Sequence, residues 1–450
     1  MSLFFSARHE KEFTGLAPTS IAMFGTKDHL RAEGGHLKID GVDVVDLAEE
    51  FGTPLYATSE QRLRDNLRRY REAFPEAWLY FAVKANGNLA ILRILAEEGM
   101  GADVFSAGEL SLVRMAGMPM EKILFNGNSK RREELEMAVD AGVRVSADSL
   151  DEVLALSEVA SERGEEAAEV AFRVNPDVSA KTHPKIATGL KTSKFGIPWQ
   201  EIVEVYKTAM NLDGVRPVGL HCHIGSQILE TSPFVEAMAK MMDLAGQIVE
   251  IGGNIEMMDF GGGLGIAYAP ETQAPTPADL ASGILPVFKD RCGELGISPR
   301  MILEPGRSIV ADTTLFLTRV NVVKKAHVNF VGVDAGFNLL ARPMLYDAYH
   351  HAVVANKADR KPEEKYTVVG PICESGDVLA RDRTLPKVER GDIVAMLDAG
   401  AYGFSMASVY NGQPRCPEVL VNGGRAELIR RGEDRSVFLS GQIVPPRLLK

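Results

Sequence analysis

The chain has 450 residues, too many for one compact core, and length as a prior favours two domains. Its 45% hydrophobic and 25% charged content are ordinary for a soluble globular protein, and a net charge of −11 argues against a nucleic-acid or anionic-membrane partner. The longest apolar runs carry Gly, Asp, Glu or His inside them, so no transmembrane helix and no membrane role is expected.

Residues 1–35 carry no clear signal, and the opening MSLFFSARHEKEF, a short apolar stretch followed by mixed charge, is not expected to be a secretory signal. The segment 36-HLKIDGVDVVDLAEEFG has the look of a strand, a turn and a helix; residues 1–50 are expected to join a second domain. From about Leu55 short apolar runs alternate with amphipathic stretches. The runs are 79-LYFAV, 102-ADVFS, 122-KILFN, 143-VRVSA, 170-VAFRV, 218-VGLHCHI, 256-EMMDF and 301-MILEP. Between them, 87-GNLAILRILAEEG and 131-RREELEMAVDAG place apolar residues at helical spacing and end in Gly. Strand then helix, repeated through residues 51–307, implies an α/β fold closed as a (β/α)8 TIM-type barrel, with an open doubly wound sheet as the competing reading. After about Ser308 the texture changes. Runs such as 315-LFLTRVNVVKKA, 329-NFVGVDA, 366-YTVVGPI and 393-IVAMLDAGAYG predict a mostly β C-terminal domain over 308–450.

Polar residues just past the ends of barrel strands read as catalytic. The first run ends at Lys84, where partial desolvation would lower the amine's pKa and leave it nucleophilic; a surface lysine at a strand end is the plain alternative. The sixth run ends in His221-Cys222-His223-Ile224-Gly225-Ser226, with both histidines on one strand face. They suit a ring that stacks on an aromatic cofactor, a backbone-satisfied histidine, or a zinc pair; no third ligand set accompanies them, so no metal is expected. The four cysteines, Cys222, Cys292, Cys373 and Cys416, lack CxxC spacing, which suggests a reduced, cytoplasmic protein.

The seventh run ends in Gly261-Gly262-Gly263-Leu264-Gly265, whose backbone amides could approach a phosphate, although a tight turn also explains glycines. It is no dinucleotide fingerprint, because Tyr268 stands where the third glycine belongs. The eighth run ends in Glu304-Pro305-Gly306-Arg307: an acid suited to a protonated pyridine nitrogen and an arginine suited to a phosphate or carboxylate, or simply an ion pair. An amine, a stacking ring, a phosphate cradle and a pyridinium partner at strand ends of one barrel meet the requirements of pyridoxal 5'-phosphate.

The segments FAVKAN, GADVFSAGEL, KTHPKIATGLKTSKFGI, GLHCHIGSQI, DFGGGLGI, EPGRSIV, ARPMLYDAYH, GPICESGDVLARDR and DAGAYGFSMAS resemble the diaminopimelate decarboxylases, within the alanine racemase and ornithine decarboxylase-like pyridoxal-phosphate enzymes. The resemblance runs from about His36 to the end. It implies that Lys84 holds the cofactor covalently, that His223 stacks on its ring and that Glu304 meets the ring nitrogen. It surrounds the phosphate with Gly261, Gly262, Gly263, Gly306 and Arg307, and counts Ser226 among the cofactor-binding residues. It assigns Arg307, Arg342, Tyr346 and Tyr402 to substrate, with Tyr402 also touching cofactor. Cys373 would give a proton to the carbon that loses CO2, and Glu374 would hold the distal amine. Both would come from a second subunit, which implies a homodimer with shared sites. The sequence departs from the family pattern at Ala107, Leu339 and Cys416, and Leu339 lies near enough to Arg342 to bear on the substrate pocket.

The implied reaction is removal of CO2 from meso-2,6-diaminopimelate to give L-lysine, a step of lysine biosynthesis. An acid opposite the ring nitrogen deepens the electron sink and favours decarboxylation over racemisation. The alternatives are a decarboxylase of another basic amino acid or of a carboxylated polyamine, and a non-catalytic binding protein of the same fold. Lys84 and Cys373 argue against the last.

Overall fold

The computed structural model describes residues 27–164, 167–179 and 193–449. Each of the eight apolar runs overlaps a strand: Trp78–Ala82, Gly101–Val104, Ile123–Phe125, Arg144–Ala147, Ala168–Asn175, Val215–Cys222, Met257–Asp259 and Arg300–Leu303. Neighbours pair in parallel around the whole set, and Arg300–Leu303 pairs back to Trp78–Ala82, so the sheet is closed. The open-sheet alternative therefore falls. Helices such as Leu89–Glu97, Ala107–Met115 and Leu150–Arg163 follow their strands, with Asn88, Ser106 and Ser149 accepting backbone N–H groups at their starts. The eighth strand is followed by only four helical residues, Arg307–Val310, and Glu60–Ala73, which precedes the first strand, packs there against Pro277–Leu295.

Side chains of a strand alternate between faces, so each second residue looks into the barrel. Tyr80, Leu124, Ala171, Val218, Met257 and Ile302 form one buried apolar cluster, the floor. Two residues further along the same strands stand Asn126, Arg173, Asp259 and Glu304, all buried. The barrel thus changes from apolar floor to polar layer within one step of the strand period, and this layer underlies the site.

The second sheet is built on Thr314–Lys324, which pairs with Phe330–Val333, with Ile393–Met396 and with Leu55–Ser59. Leu55–Ser59 falls inside the stretch expected of the barrel, yet it is antiparallel to Thr314–Lys324 and parallel to Glu418–Asn422 in this other sheet. All five of its residues are buried, so the chain enters the β domain once before it enters the barrel. The strand His36–Ile39 and the helix Val44–Phe51 pack on the same domain: Leu37, Ile39, Val44 and Leu47 share a core with Leu55, Leu315, Leu317 and Val353. The β domain is bonded onto the barrel mouth. Tyr402 N donates to Ala85 O at 2.9 Å, Asn86 Nδ2 to Gly400 O at 3.1 Å, and Ser405 Oγ to Ala85 O at 3.2 Å. Most of KTHPKIATGLKTSKFGI, residues 181–192, lies outside the described residues.

Candidate active site

Lys84 sits in the single turn Val83–Ala85 that follows the first barrel strand. Its Nζ contacts Asp103 Oδ2 on the next strand and lies 4.4 Å over the Phe105 ring. The expectation that desolvation leaves this amine neutral is reversed. Burial does oppose the charge, but the carboxylates of Asp103 and Glu304 outweigh it and hold the ammonium above the usual lysine range. Glu304 is 4% exposed, with Oε1 accepting from Asn126 Nδ2 at 2.8 Å and Oε2 at 3.5 Å from His221 Nε2. Burial works against its charge, but His221 and Lys84 hold it below the usual carboxylate range. Asp259, fully buried beside it, is pushed well above that range by burial and by Glu304, so of this pair Asp259 carries the proton.

His223 Nδ1 accepts the N–H of Gly262 at 3.3 Å, and burial together with Lys84 depresses the ring to about 3. The imidazole is therefore neutral, with its proton on Nε2, and offers a flat uncharged face. Gly261 and Gly263 adopt φ of +65° and +117°, and a Cβ on either would run into the carbonyls of Cys222 and Gly225. Gly306 is packed against the Cβ atoms of Ala82 and Ala85. Arg307 begins the short helix after the eighth strand; its Nη2 donates to Ser226 Oγ at 2.8 Å and its Nη1 to Tyr268 Oη at 2.9 Å. It is 7% exposed, its Nε has no hydrogen-bond partner, and among the described residues no carboxylate forms an ion pair with it. A buried, uncompensated guanidinium beside bare glycine backbone is a built anion site.

Tyr402, with φ of +56°, lies under Arg307 at 4.8 Å from ring centre to guanidinium. Arg342 is 5% exposed, 4.3 Å over the Tyr268 ring. Tyr346 ends the same short helix, Arg342–Tyr346, and is half-buried. Lys84, His223, Ser226, the three glycines, Glu304, Gly306, Arg307, Tyr402 and Arg342 thus gather at one mouth. Cys373 and Glu374 do not join them. Both are exposed, and Glu374 accepts from Tyr410 Oη at 2.6 Å. Leu339 does not line the pocket either: its side chain packs in the β-domain core, and its carbonyl accepts from Tyr56 Oη at 2.6 Å.

Sequence reasoning passed over Asp103, Asn126, Asp259 and Arg173. The available signal was a polar residue within or closing an apolar run, in ADVFS, KILFN, EMMDF and VAFRV. Tyr268 counted in the sequence only as the residue that broke a fingerprint. The donor atoms of His221, Asp259 and Glu304 lie within 4.8 Å of one another, a spacing open to a metal. Asn126 already holds Glu304, and Ser146 Oγ lies 2.9 Å from His221 Nδ1. Pyridoxal phosphate fits the arrangement: an anion deep in the barrel for its ring nitrogen, Lys84 for its carbonyl carbon, and glycine backbone with Arg307 for its phosphate.

Comparison with known proteins agrees. Residues 60–311 match the family model described as pyridoxal-dependent decarboxylase, pyridoxal binding domain. The chain is 57% identical to a diaminopimelate decarboxylase of Archaeoglobus fulgidus, over 95% of this chain and 100% of that one. It is 49% identical to one of Methanothermobacter thermautotrophicus, over 92% and 97%. The crystal structure of the Methanocaldococcus jannaschii diaminopimelate decarboxylase in co-complex with L-lysine superimposes with a TM-score of 0.89 at 43% identity, covering 94% of this chain and 99% of that one. With a closed barrel, a β domain docked on its mouth and a lysine, acid and glycine set fitted to pyridoxal phosphate, the chain belongs to the diaminopimelate decarboxylase family of pyridoxal-dependent decarboxylases.

Proposed function

We propose that the chain removes CO2 from the D-configured end of meso-2,6-diaminopimelate and releases L-lysine. The observation that carries this reading is the pair Arg307 and Arg342. Both are buried, neither forms an ion pair with a carboxylate among the described residues, and both contact Tyr268. One arginine serves the cofactor phosphate. The other is a surplus buried cation at the mouth, which a substrate with a second carboxylate would satisfy.

Bound pyridoxal phosphate supplies an electron-poor ring that accepts the electron pair left by departing CO2. Glu304, kept anionic, holds a proton at the ring nitrogen. His223 presents its neutral face, and Asp103 holds the proton of Lys84 when that amine is free. Tyr402 and Arg342 come from the β domain and close the mouth, excluding water. Cys373 as proton donor and Glu374 as partner of the distal amine are supplied by a second copy of the chain. Their exposure supports a homodimer with shared sites. All four cysteines are free, and no helix among the described residues is long and apolar enough to cross a membrane; the thiols support a reducing, cytoplasmic setting.

The test is CO2 release by purified protein given meso-, LL- and DD-diaminopimelate, L-lysine and L-ornithine. Turnover confined to the meso isomer is expected, because a site with buried polar partners rejects analogues lacking them by roughly 10⁴. Comparable efficiency on lysine or ornithine would overturn the assignment in favour of a decarboxylase of another basic amino acid.

A further inference from the structure

Within ARPMLYDAYHH two side chains meet: Arg342 Nη1 lies 2.7 Å from His350 Nε2. The other ring nitrogen, Nδ1, lies 2.8 Å from the carbonyl oxygen of Leu397. A carbonyl can only accept, so Nδ1 carries the proton and donates it to Leu397. Nε2 is then a bare lone pair that accepts from the Arg342 guanidinium. A protonated ring would turn an N–H against another N–H. His350 is 0% exposed, and burial together with the charge of Arg342 holds it well below its ordinary titration range. The Tyr268 ring braces the pair, 4.3 Å under the guanidinium and edge-on to His350 at 5.5 Å.

A buried arginine is ordinarily oriented by a carboxylate, which also cancels its charge. Here the partner is neutral. Among the described residues His350 is the one side chain that hydrogen-bonds Arg342, and no carboxylate reaches ion-pair distance. The fork is aimed, its remaining N–H groups have no hydrogen-bond partner among the described residues, and no carboxylate there cancels its charge.

We propose that His350 is a specificity-determining positioning residue: a neutral acceptor, fixed by Leu397, that orients Arg342 and leaves its whole charge to a substrate carboxylate remote from the reacting centre. This rests on the reading of Arg342 as a substrate-carboxylate partner. His350 touches neither substrate nor cofactor in this scheme and acts through Arg342.

The experiment uses cofactor-loaded protein and four variants: His350→Gln, His350→Glu, His350→Leu and Arg342→Gln. Gln can reproduce both bonds, accepting from Arg342 and donating to Leu397. Glu can hold the arginine but neutralises it. KM and kcat are measured on meso-diaminopimelate. Binding is measured for L-lysine, which keeps one amino-acid head, and for 1,5-diaminopentane, which has none. His350→Gln should stay near wild type. His350→Glu and Arg342→Gln should raise KM and weaken lysine binding by about 10- to 100-fold, the range of a charged hydrogen bond, with kcat at saturation nearly kept. Diaminopentane binding and the cofactor spectrum should not move. His350→Leu should lie between Gln and Glu, because it frees the fork without cancelling its charge. A merely structural role predicts instead that Glu and Leu lower melting temperature, cofactor content and both binding affinities together. If Arg342→Gln raises KM while His350→Glu binds lysine like wild type, this proposal is overturned and the reading of Arg342 stands. If Arg342→Gln leaves KM unchanged, that reading falls and this proposal with it.

Discussion

Glu304→Gln isolates the charge at the bottom of the site. The substitution keeps volume and shape, so the barrel should close as before. It replaces an anion, 4% exposed and held by Asn126 at 2.8 Å, with a neutral amide. An anion and a ring cation at a contact of about 3 Å attract by roughly 5 kcal/mol at an effective dielectric of about 20. Part of that attraction is present before the reaction, and only the part tied to the developing electron density accelerates it. Losing one preorganised group of this kind costs about 3–4 kcal/mol, or ~10²–10³ in kcat. Gln would also set its amide N–H groups beside the amide of Asn126, which costs about 1–3 kcal/mol of stability unless Asn126 turns its unbonded Oδ1 toward them. The assay is CO2 release from meso-diaminopimelate at saturation, with cofactor content read from absorbance and melting temperature followed in parallel. A variant that binds cofactor fully and keeps kcat within a few-fold of wild type would refute the role given to Glu304.

Three further expectations follow from the same structure. Lys84→Ala should lose turnover and, after borohydride treatment, should retain no covalently attached cofactor in denaturing mass spectrometry; retention would move the anchor elsewhere. Mixing Lys84→Ala with Cys373→Ala chains should restore about a quarter of wild-type activity, since half the dimers are mixed and each mixed dimer has one intact site. No recovery, with subunit exchange shown separately, would refute a shared site. His29 is 7% exposed, and burial above all depresses its ring from 6.5 to about 4. The unfolded chain therefore binds a proton near pH 6.5 that the folded chain refuses. Stability from this group is full above pH 6.5, falls as pH drops toward 4, and is lower by about 2 kcal/mol at pH 5. His29→Leu should flatten that part of the melting-temperature profile, and an unchanged slope would refute the assignment.

Much of the site was legible in the sequence because it depends on local order alone. A run such as FAVK or ILEPGR states its strand, its inward face and the residue that follows, and closure of the barrel then brings Lys84, His223, the glycines, Glu304 and Arg307 to one mouth. The family motifs in the β domain likewise named Arg342 and Tyr402. Other features are relations between strands, which local pattern does not carry. Asp103 meets Lys84 through the register of the first two strands, and that contact reversed the charge expected of the amine. Asp259 matters because the pairing of the seventh and eighth strands sets it against Glu304. Leu55–Ser59 is a short run like those of the barrel, and only the pairing partners at Thr314–Lys324 and Glu418–Asn422 assign it to the second sheet. Tyr268 and His350 gained their roles by packing on Arg342 from a barrel loop and a β-domain loop. Cys373 and Glu374 were named by motif, but within this chain they stay on the exposed surface, because a side chain's neighbours are chosen by the packing of whole elements rather than by the residues beside it in the chain.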